Sequence, residues 1–386
     1  MTYYLLPKNI NKDLDNSIFL CKNNKSMKNI NPSLLSYLND VKHNIDNYKD
    51  NWDNIKKITN PYEYIHTIHP TFHTSVSILK PLSRSFYKLI EIINSFEILK
   101  NEKNPIKSFH MAEGPGGFVE AFIKSRKNDK DEYYAMTLES SDISVPGWKK
   151  SDNLLKEKNL TIERGVTNNG DLFSFKNFEY YLKYKNNFDF ITADGGFDFS
   201  GDYNEQEKMA SKLILIEILY GLMLQKINGT MVIKVYDIYC DLTIDFLYLL
   251  TNFYQRIYVY KPHTSRYANS EKYLVCKNLC KNVNNNLLDK FKSIIQDNNL
   301  NSINRILNID IPLYFLLSIE HLNSMFGEQQ LENINLTLSL IENFKGKKEK
   351  IEQLKKNNLN KCIQWCENNN IPYNKKISTK NIFLDT

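Results

Sequence analysis

The amino-acid sequence predicts an α/β protein built on a mainly parallel, doubly wound sheet that ends in an antiparallel strand pair. Between about residues 80 and 280, short apolar runs alternate with stretches of helical periodicity, the pattern of strands joined by crossover helices. Two of the runs end in glycine turns, His110-Met111-Ala112-Glu113-Gly114-Pro115-Gly116-Gly117-Phe118 and Thr192-Ala193-Asp194-Gly195-Gly196. Open α/β sheets bind ligands at such carboxyl edges. The last two runs are separated by 262–269, too short a link for a crossover helix, so they pair antiparallel.

The elements follow in order. Residues 1–80 mix polar and aromatic side chains, with Pro32, Pro61, Pro70 and Pro81 as breakers, and read as an N-terminal extension of short helices and loops. From Ser85, the residues Phe86, Leu89, Ile90, Ile93, Phe96 and Leu99 trace one helical face. Seven strands are expected, at 106–112, 133–138, 159–164, 188–194, 229–236, 256–261 and 270–277, with helices near 117–127, 205–227 and 241–254. Beyond 282 the chain is strand-poor and lysine-rich, with helical periodicity at 287–295, 331–344 and 347–367. The expected organisation is an N-terminal extension (1–80), a central domain (81–282) and a C-terminal helical extension (283–386).

A hydrophobic fraction of 42% and a charged fraction of 24% are those of an ordinary globular chain. The formal charge of +6 leans towards an anionic partner without the strong basicity of a dedicated nucleic-acid binder. No secretory pattern opens the chain, and the apolar stretch 213–227 is short for a bilayer and contains Glu217, so a soluble intracellular protein with no membrane partner is expected. Six cysteines (Cys21, Cys240, Cys276, Cys280, Cys362, Cys366) form no disulfide framework and fit a reducing compartment. The Cys276/Cys280 and Cys362/Cys366 pairs and His66, His69 and His73 have spacings open to zinc. Cys276 falls in an apolar strand, Cys362 and Cys366 lie a helical turn apart, and the histidines surround a proline, so no metal is expected.

Gly114-Pro115-Gly116-Gly117 at a strand-to-helix turn lets backbone approach a ligand and sets helix N–H groups beside it. A nicotinamide fingerprint would want a third glycine near Val119, and there is none. A turn that cradles an amino-acid carboxylate suits S-adenosylmethionine (SAM) better. Glu139, ending the next strand, can hold ribose hydroxyls, and Asp171, after the third, can accept from an adenine amino group.

With these residues in place, the chain resembles the FtsJ-type RNA ribose 2′-O-methyltransferases, and among them the cap-specific mRNA enzymes of eukaryotes and large DNA viruses, over roughly residues 80–280. The resemblance implies a class I SAM-methyltransferase fold and a Lys-Asp-Lys-Glu tetrad. Its members fall on Lys88 in Ser85-Phe86-Tyr87-Lys88, Asp194 in Thr192-Ala193-Asp194-Gly195-Gly196, Lys234 in Met231-Val232-Ile233-Lys234-Val235, and Glu271 in Asn269-Ser270-Glu271-Lys272-Tyr273. It implies cofactor contacts from Glu113, Gly114, Pro115, Gly116, Gly117, Phe118, Glu139, Asp171 and Asp194. SAM is the implied cofactor and RNA, as the 5′ end of capped mRNA, the implied partner, with other capping enzymes as further candidates. His110 stands where many members carry aspartate, and Glu113 where a small residue is common.

The chemistry accounts for these residue types. A ribose 2′-hydroxyl is a poor nucleophile, and attack on a sulfonium methyl needs its proton withdrawn and its lone pair aligned. A lysine can act as the base if its pKa falls, which burial and a second lysine promote. Lys234 reads as base or steering group, Lys88 as its cationic neighbour, and Asp194 and Glu271 as orienting carboxylates. Lys261, His263, Ser265 and Arg266, on the loop to Glu271, are expected to contact RNA phosphates. Asp198, Ser200, Asp202, Tyr203 and Asn204 are expected to line the substrate entrance. Taken singly, each tetrad residue has an ordinary reading, as a lysine snorkelling from a strand end, a surface charge or an Asp-Gly turn. It is the joint pattern that points to a site. The lysines at 345, 347, 348, 350, 355 and 356 read as a solvated helix face. Two alternatives stay open: a ribosomal or transfer RNA ribose methyltransferase, and an inactive methyltransferase fold serving as an RNA-binding or capping-complex subunit.

Overall fold

β-Branched and aromatic runs too short for helices make the strands, and the computed structural model places them in one large sheet; it describes residues 3–9, 14–21, 29–100, 104–142, 145–196, 204–296 and 303–377. In chain order the elements are β1 (Tyr3–Leu5), β2 (Ile18–Cys21), α1 (Pro32–His43), α2 (Lys49–Thr59), α3 (Ser85–Ser95), β3 (Lys107–Met111), α4 (Gly117–Arg126), β4 (Glu132–Met136) and β5 (Leu160–Ile162). Then come α5 (Phe175–Tyr181), β6 (Phe188–Ala193), α6 (Gln206–Leu224), β7 (Gln225–Val235), α7 (Asp241–Phe253), β8 (Tyr254–Tyr260) and β9 (Lys272–Leu279). The chain closes with α8 (Asn285–Gln296), β10 (Arg305–Leu307), α9 (Leu313–Glu342) and α10 (Lys348–Asn368).

The main sheet runs β1-β8-β9-β7-β6-β3-β4-β5. From β7 to β5 all neighbours are parallel, and β9 lies antiparallel between β7 and β8. This is the expected doubly wound sheet with its antiparallel pair, but with eight strands rather than seven. The extra strand is Tyr3–Leu5, which pairs antiparallel with β8. A second addition is a two-stranded sheet of β2 and β10. The order reverses between β3 and β6: the chain winds from β3 out to β4 and β5, then returns to β6 and proceeds to β7. Such a switch point opens a crevice at the carboxyl ends of the strands, and both glycine turns leave the sheet there.

Helices cover both faces. One core joins β3, β6 and β7 to α6, α7, α8 and the start of α9; the other joins the opposite face to α3, α4 and, through Leu359, Cys362, Trp365 and Cys366, to α10. Helix α3 ends at Ser95, short of Leu99, and Glu97 turns the chain with a φ of 49°. Helix α9 extends well upstream of the predicted 331–344 and packs against α1 and α2. Among the described residues no helix is long and apolar enough to cross a membrane.

Candidate active site

Strand register builds the site. Ala193 of β6 pairs with Ile233 of β7, so Asp194 emerges beside Lys234; Lys234 in turn faces Tyr273 of β9, and Glu271 precedes that strand. Helix α3, packed on α4, brings Lys88 in from above. The four predicted tetrad residues therefore meet. Lys88 Nζ lies 2.7 Å and 2.9 Å from the two oxygens of Glu271, and Lys234 Nζ lies 3.4 Å from Asp194 Oδ1 while donating to the Asp194 carbonyl at 2.7 Å. All four side chains keep 11–13% of their surface open. Sequence reasoning missed the residue that joins the two pairs. The buried Tyr273 hydroxyl donates to Asp194 Oδ1 at 2.9 Å and lies 3.4 Å from Glu271 Oε1. The available signal was alternation, because Glu271 and Tyr273 share a strand face.

The electrostatics correct one expectation. Burial pulls the Lys234 ammonium down, but the Asp194 carboxylate foremost, then Tyr236, Glu271 and Glu217, outweigh it and hold the group above the ordinary lysine value. Lys234 thus keeps its proton in this state and is a cation and hydrogen-bond donor rather than a ready base. Burial likewise pushes the Glu271 carboxyl up, and Lys88, Lys234 and Lys261 reverse the sign and hold it well below the usual range. Two further carboxyls lie near. Glu217 of α6 is buried to a pKa of about 8, is met by the Gly195 N–H, and is neutral at pH 7. Glu113 is raised by burial and then by Asp194.

Below the centre runs a buried polar chain. The His110 ring nitrogens lie 2.9 Å from Ser108 Oγ and 2.9 Å from Thr192 Oγ1, and Thr192 Oγ1 lies 2.5 Å from Glu113 Oε1. Burial drops His110 to about 3, so the imidazole is neutral.

The glycine turn sits at the mouth of the crevice. Gly114 N–H donates to Thr137 Oγ1 at 3.0 Å, the Pro115 carbonyl accepts from Ser151 at 2.6 Å, Gly116 takes a φ of 103°, and Gly117 opens α4. A side chain at Gly116 would strike Leu154, and one at Gly117 would strike Ser83 and Ser85. Glu139 follows β4 and pairs with Arg164 at 2.9 Å; Asp171 follows β5 and accepts from Phe173 N–H at 2.9 Å. Around these two carboxylates the exposed apolar residues Leu138, Val166 and Phe173 line the ends of adjacent strands. A bare glycine turn, two acceptors and an apolar wall at one sheet edge fit a SAM molecule.

Other expected site residues sit differently. The Phe118 ring is fully buried against Tyr273, and the Glu113 carboxyl is sealed beneath the turn, so neither side chain opens onto ligand space. Of the four residues expected to contact RNA, Lys261, Ser265 and Arg266 are tied into the protein, and His263 is half-buried, stacked on Tyr62 with Nδ1 2.8 Å from the Tyr267 hydroxyl. Lys261 is buried and donates to the Asn269 and Glu271 carbonyls at 2.6 and 2.9 Å; Ser265 is buried and donates to Glu271 Oε1 at 2.9 Å; Arg266 grips Glu63 through Nε at 3.0 Å and Nη2 at 2.7 Å. The loop braces Glu271, and of its two cations Lys261 is sealed while Arg266 keeps 30% of its side chain open. Of the predicted entrance loop, Asp198, Ser200, Asp202 and Tyr203 lie outside the described residues, and Asn204 meets His43 at 3.2 Å.

A doubly wound sheet with an inserted antiparallel strand, a glycine turn at the switch point and a lysine–carboxylate centre beside it together define a SAM-dependent methyltransferase. The chain belongs to the FtsJ-like methyltransferase family, whose model matches residues 81–279. It is 33% identical over 236 residues to the cap-specific mRNA (nucleoside-2′-O-)-methyltransferase of Autographa californica nuclear polyhedrosis virus, covering 58% of this chain and 86% of that one. It is 31% identical over 207 residues to cap-specific mRNA (nucleoside-2′-O-)-methyltransferase 1 of Mus musculus and 32% identical over 173 residues to that of Drosophila melanogaster. Those matches cover 52% and 43% of this chain and 24% and 21% of the relatives, so the chain spans about a quarter of the length of these animal proteins.

Proposed function

We propose that this protein transfers a methyl group to the ribose 2′-oxygen of RNA, at the first transcribed nucleotides of capped mRNA. The observation that carries the reading is the pair of ion pairs Lys88–Glu271 and Lys234–Asp194, bridged by Tyr273 beside the glycine turn. The names of the relatives support the capped mRNA end as substrate. Gly114–Gly117, Glu139 and Asp171 would hold SAM, which would supply an electrophilic methyl group. The protein's share is to orient the hydroxyl. Lys234, held as an ammonium, donates to the 2′-oxygen and leaves its remaining lone pair aligned for in-line attack. The hydroxyl proton becomes strongly acidic as its oxygen is alkylated, so no strong base is needed beforehand, and the Asp194 carboxylate beside Lys234 is in reach to take it. Lys88 and Glu271 fix the far wall of the centre.

The test is methyl transfer to matched RNAs with a capped or a triphosphate end, followed by nuclease digestion and mass spectrometry. The expected product carries one alkali-resistant linkage next to the cap, and RNA with a 2′-deoxy nucleotide there accepts no methyl group. A methyl group on a base overturns the ribose assignment. Transfer confined to ribosomal or transfer RNA overturns the mRNA assignment.

A further inference from the structure

Glu91 lies one helical turn beyond Lys88 on α3 and is buried. Its carboxylate accepts five hydrogen bonds from three parts of the chain. Oε1 takes the Tyr260 hydroxyl and the His263 N–H, both at 2.7 Å. Oε2 takes the Thr264 N–H at 3.1 Å, the Thr264 hydroxyl at 3.0 Å and the Trp365 indole N–H at 3.0 Å. Tyr260 ends β8, His263 and Thr264 begin the loop that leads to Glu271, and Trp365 belongs to α10. The five donors are all uncharged. An anion held by fixed backbone, hydroxyl and indole donors sits in a narrower geometry than one paired with a flexible lysine.

The opposite side of the same loop is held from the other end of the chain. Arg84, one turn before Lys88, donates to the Thr264 carbonyl through Nε at 3.0 Å and Nη2 at 2.6 Å, and the buried Glu63 takes both Arg84 and Arg266. Loop 261–271 contains no strand or helix. Its conformation, and with it the place of Glu271, depends on these anchors, and Glu91 carries the greatest number of them.

We propose that Glu91 is a positioning residue for methyl transfer: it fastens loop 261–271 to α3, so that Lys88 and Glu271 meet at one geometry, and it makes α10 part of the active-site frame through Trp365. The inference rests on the reading of the lysine–carboxylate centre as the reaction centre. In Glu91→Gln one acceptor oxygen replaces two, and the new amide hydrogens oppose the donors that Oε1 or Oε2 served. Trp365→Phe is the milder variant, leaving Glu91 four donors.

The pH dependence of Glu271 separates positioning from mere stability. Facing it are Lys88 of α3, Lys234 of β7 and Lys261 after β8, with Arg84 and Arg266 further out, and on the acidic side Asp194, Tyr236 and Tyr273. If the Lys88–Glu271 contact loosens, less positive charge stabilises the carboxylate, its pKa rises from well below the usual range towards the ordinary glutamate value, and the loss of activity on acidification sets in at a higher pH.

The experiment measures kcat, cofactor affinity and the acid limb of the kcat–pH profile for wild type, Glu91→Gln and Trp365→Phe, each below its melting temperature. Glu91→Gln is expected to lower kcat by about 30-fold or more and Trp365→Phe by roughly threefold to tenfold, both with an acid limb shifted upward and cofactor affinity near wild type. If Glu91→Gln does not fold, Trp365→Phe decides. Folded variants with kcat within twofold of wild type and an unshifted limb overturn the proposal. A wild type that methylates no RNA ribose overturns the functional reading instead, and titration of the Glu271 carboxyl by carbon-13 NMR then settles the role of Glu91. A raised Glu271 pKa in the variants supports it, and an unchanged one overturns it.

Discussion

Replacing Tyr273 by phenylalanine tests the centre with the smallest chemical change. The ring is fully buried and packs on Phe118, so the substitution leaves shape and apolar contacts in place and removes one hydroxyl. That hydroxyl has one proton, committed to Asp194 at 2.9 Å; the 3.4 Å approach to Glu271 is at the limit of a hydrogen bond. A hydrogen bond to a charged group contributes about 1.5–3 kcal/mol. The lower half of that range applies, because Lys234 stays within 3.4 Å of the same Asp194 oxygen and Glu271 keeps Lys88 and Ser265. Asp194 is then free to swing, and Lys234 follows it. At about 1.4 kcal/mol for each factor of ten, kcat falls roughly 10- to 30-fold, and the melting temperature drops by a few degrees. Steady-state methyl incorporation with both substrates saturating, beside a thermal melt, measures both. A folded Tyr273→Phe enzyme with kcat within twofold of wild type would refute the coupling of the two ion pairs.

Lys234→Met should lower kcat by at least about a hundredfold, as loss of a preorganised donor at a reacting oxygen does, with cofactor affinity by calorimetry changed only a few-fold. Glu217, with a folded pKa near 8 against an ordinary glutamate value of 4.5, binds its proton in the folded state where the unfolded chain has lost it. Stability therefore falls as pH rises between those values, and Glu217→Gln should flatten that stretch of a melting-temperature profile; an unchanged slope would contradict the neutral acid. Arg266→Met should destabilise the fold by about 1–3 kcal/mol, discounted from a fully buried pair because Arg266 is 30% exposed, while the salt dependence of RNA binding stays as in wild type. A slope shallower by about one unit would restore Arg266 as a phosphate contact. Gly170→Ala would set a methyl group 2.0 Å from the Thr137 carbonyl at a φ of 68°, and should both destabilise the protein by more than about 1 kcal/mol and weaken SAM binding beside Asp171. Wild-type affinity would remove that turn from the cofactor site.

The sequence made the parallel strands legible because each is a short apolar run between turn formers, and the antiparallel pair because the 262–269 link is too short for a helix. Tyr3–Leu5 was not legible. Three residues with two side chains half exposed carry no periodicity, and they become a strand because the edge of β8 is open to them. The tetrad could be read because its members fall at strand ends and on a helix face, where sequence position fixes spatial position. Glu63, Glu91 and Glu217 could not. A glutamate in a sequence looks solvated, and the partners that bury Glu63 and Glu91 are up to 203 and 274 residues away. The pairing of Arg266 was hidden for the same reason: an arginine on a loop looks unpaired until its distant carboxylate is known.

The polar chain beneath the centre bears on how the sheet finds its alignment. β3 and β6 are central, parallel and covered by helices on both faces, and strands of that kind are apolar on both sides and tolerate sliding. His110 is paired with Thr192 across them, and Ser108 reaches the same imidazole from two residues back. A one-residue slip would turn Thr192 to the opposite face from His110 and part the Thr192 hydroxyl from the imidazole, while Ser108, on the same strand as His110, would keep its bond. His110 and Thr192 act as a key cut for one lock. They reject every neighbouring alignment of the two strands whose ends carry the glycine turn and Asp194, so the reaction centre can assemble only in a sheet already paired in its correct frame.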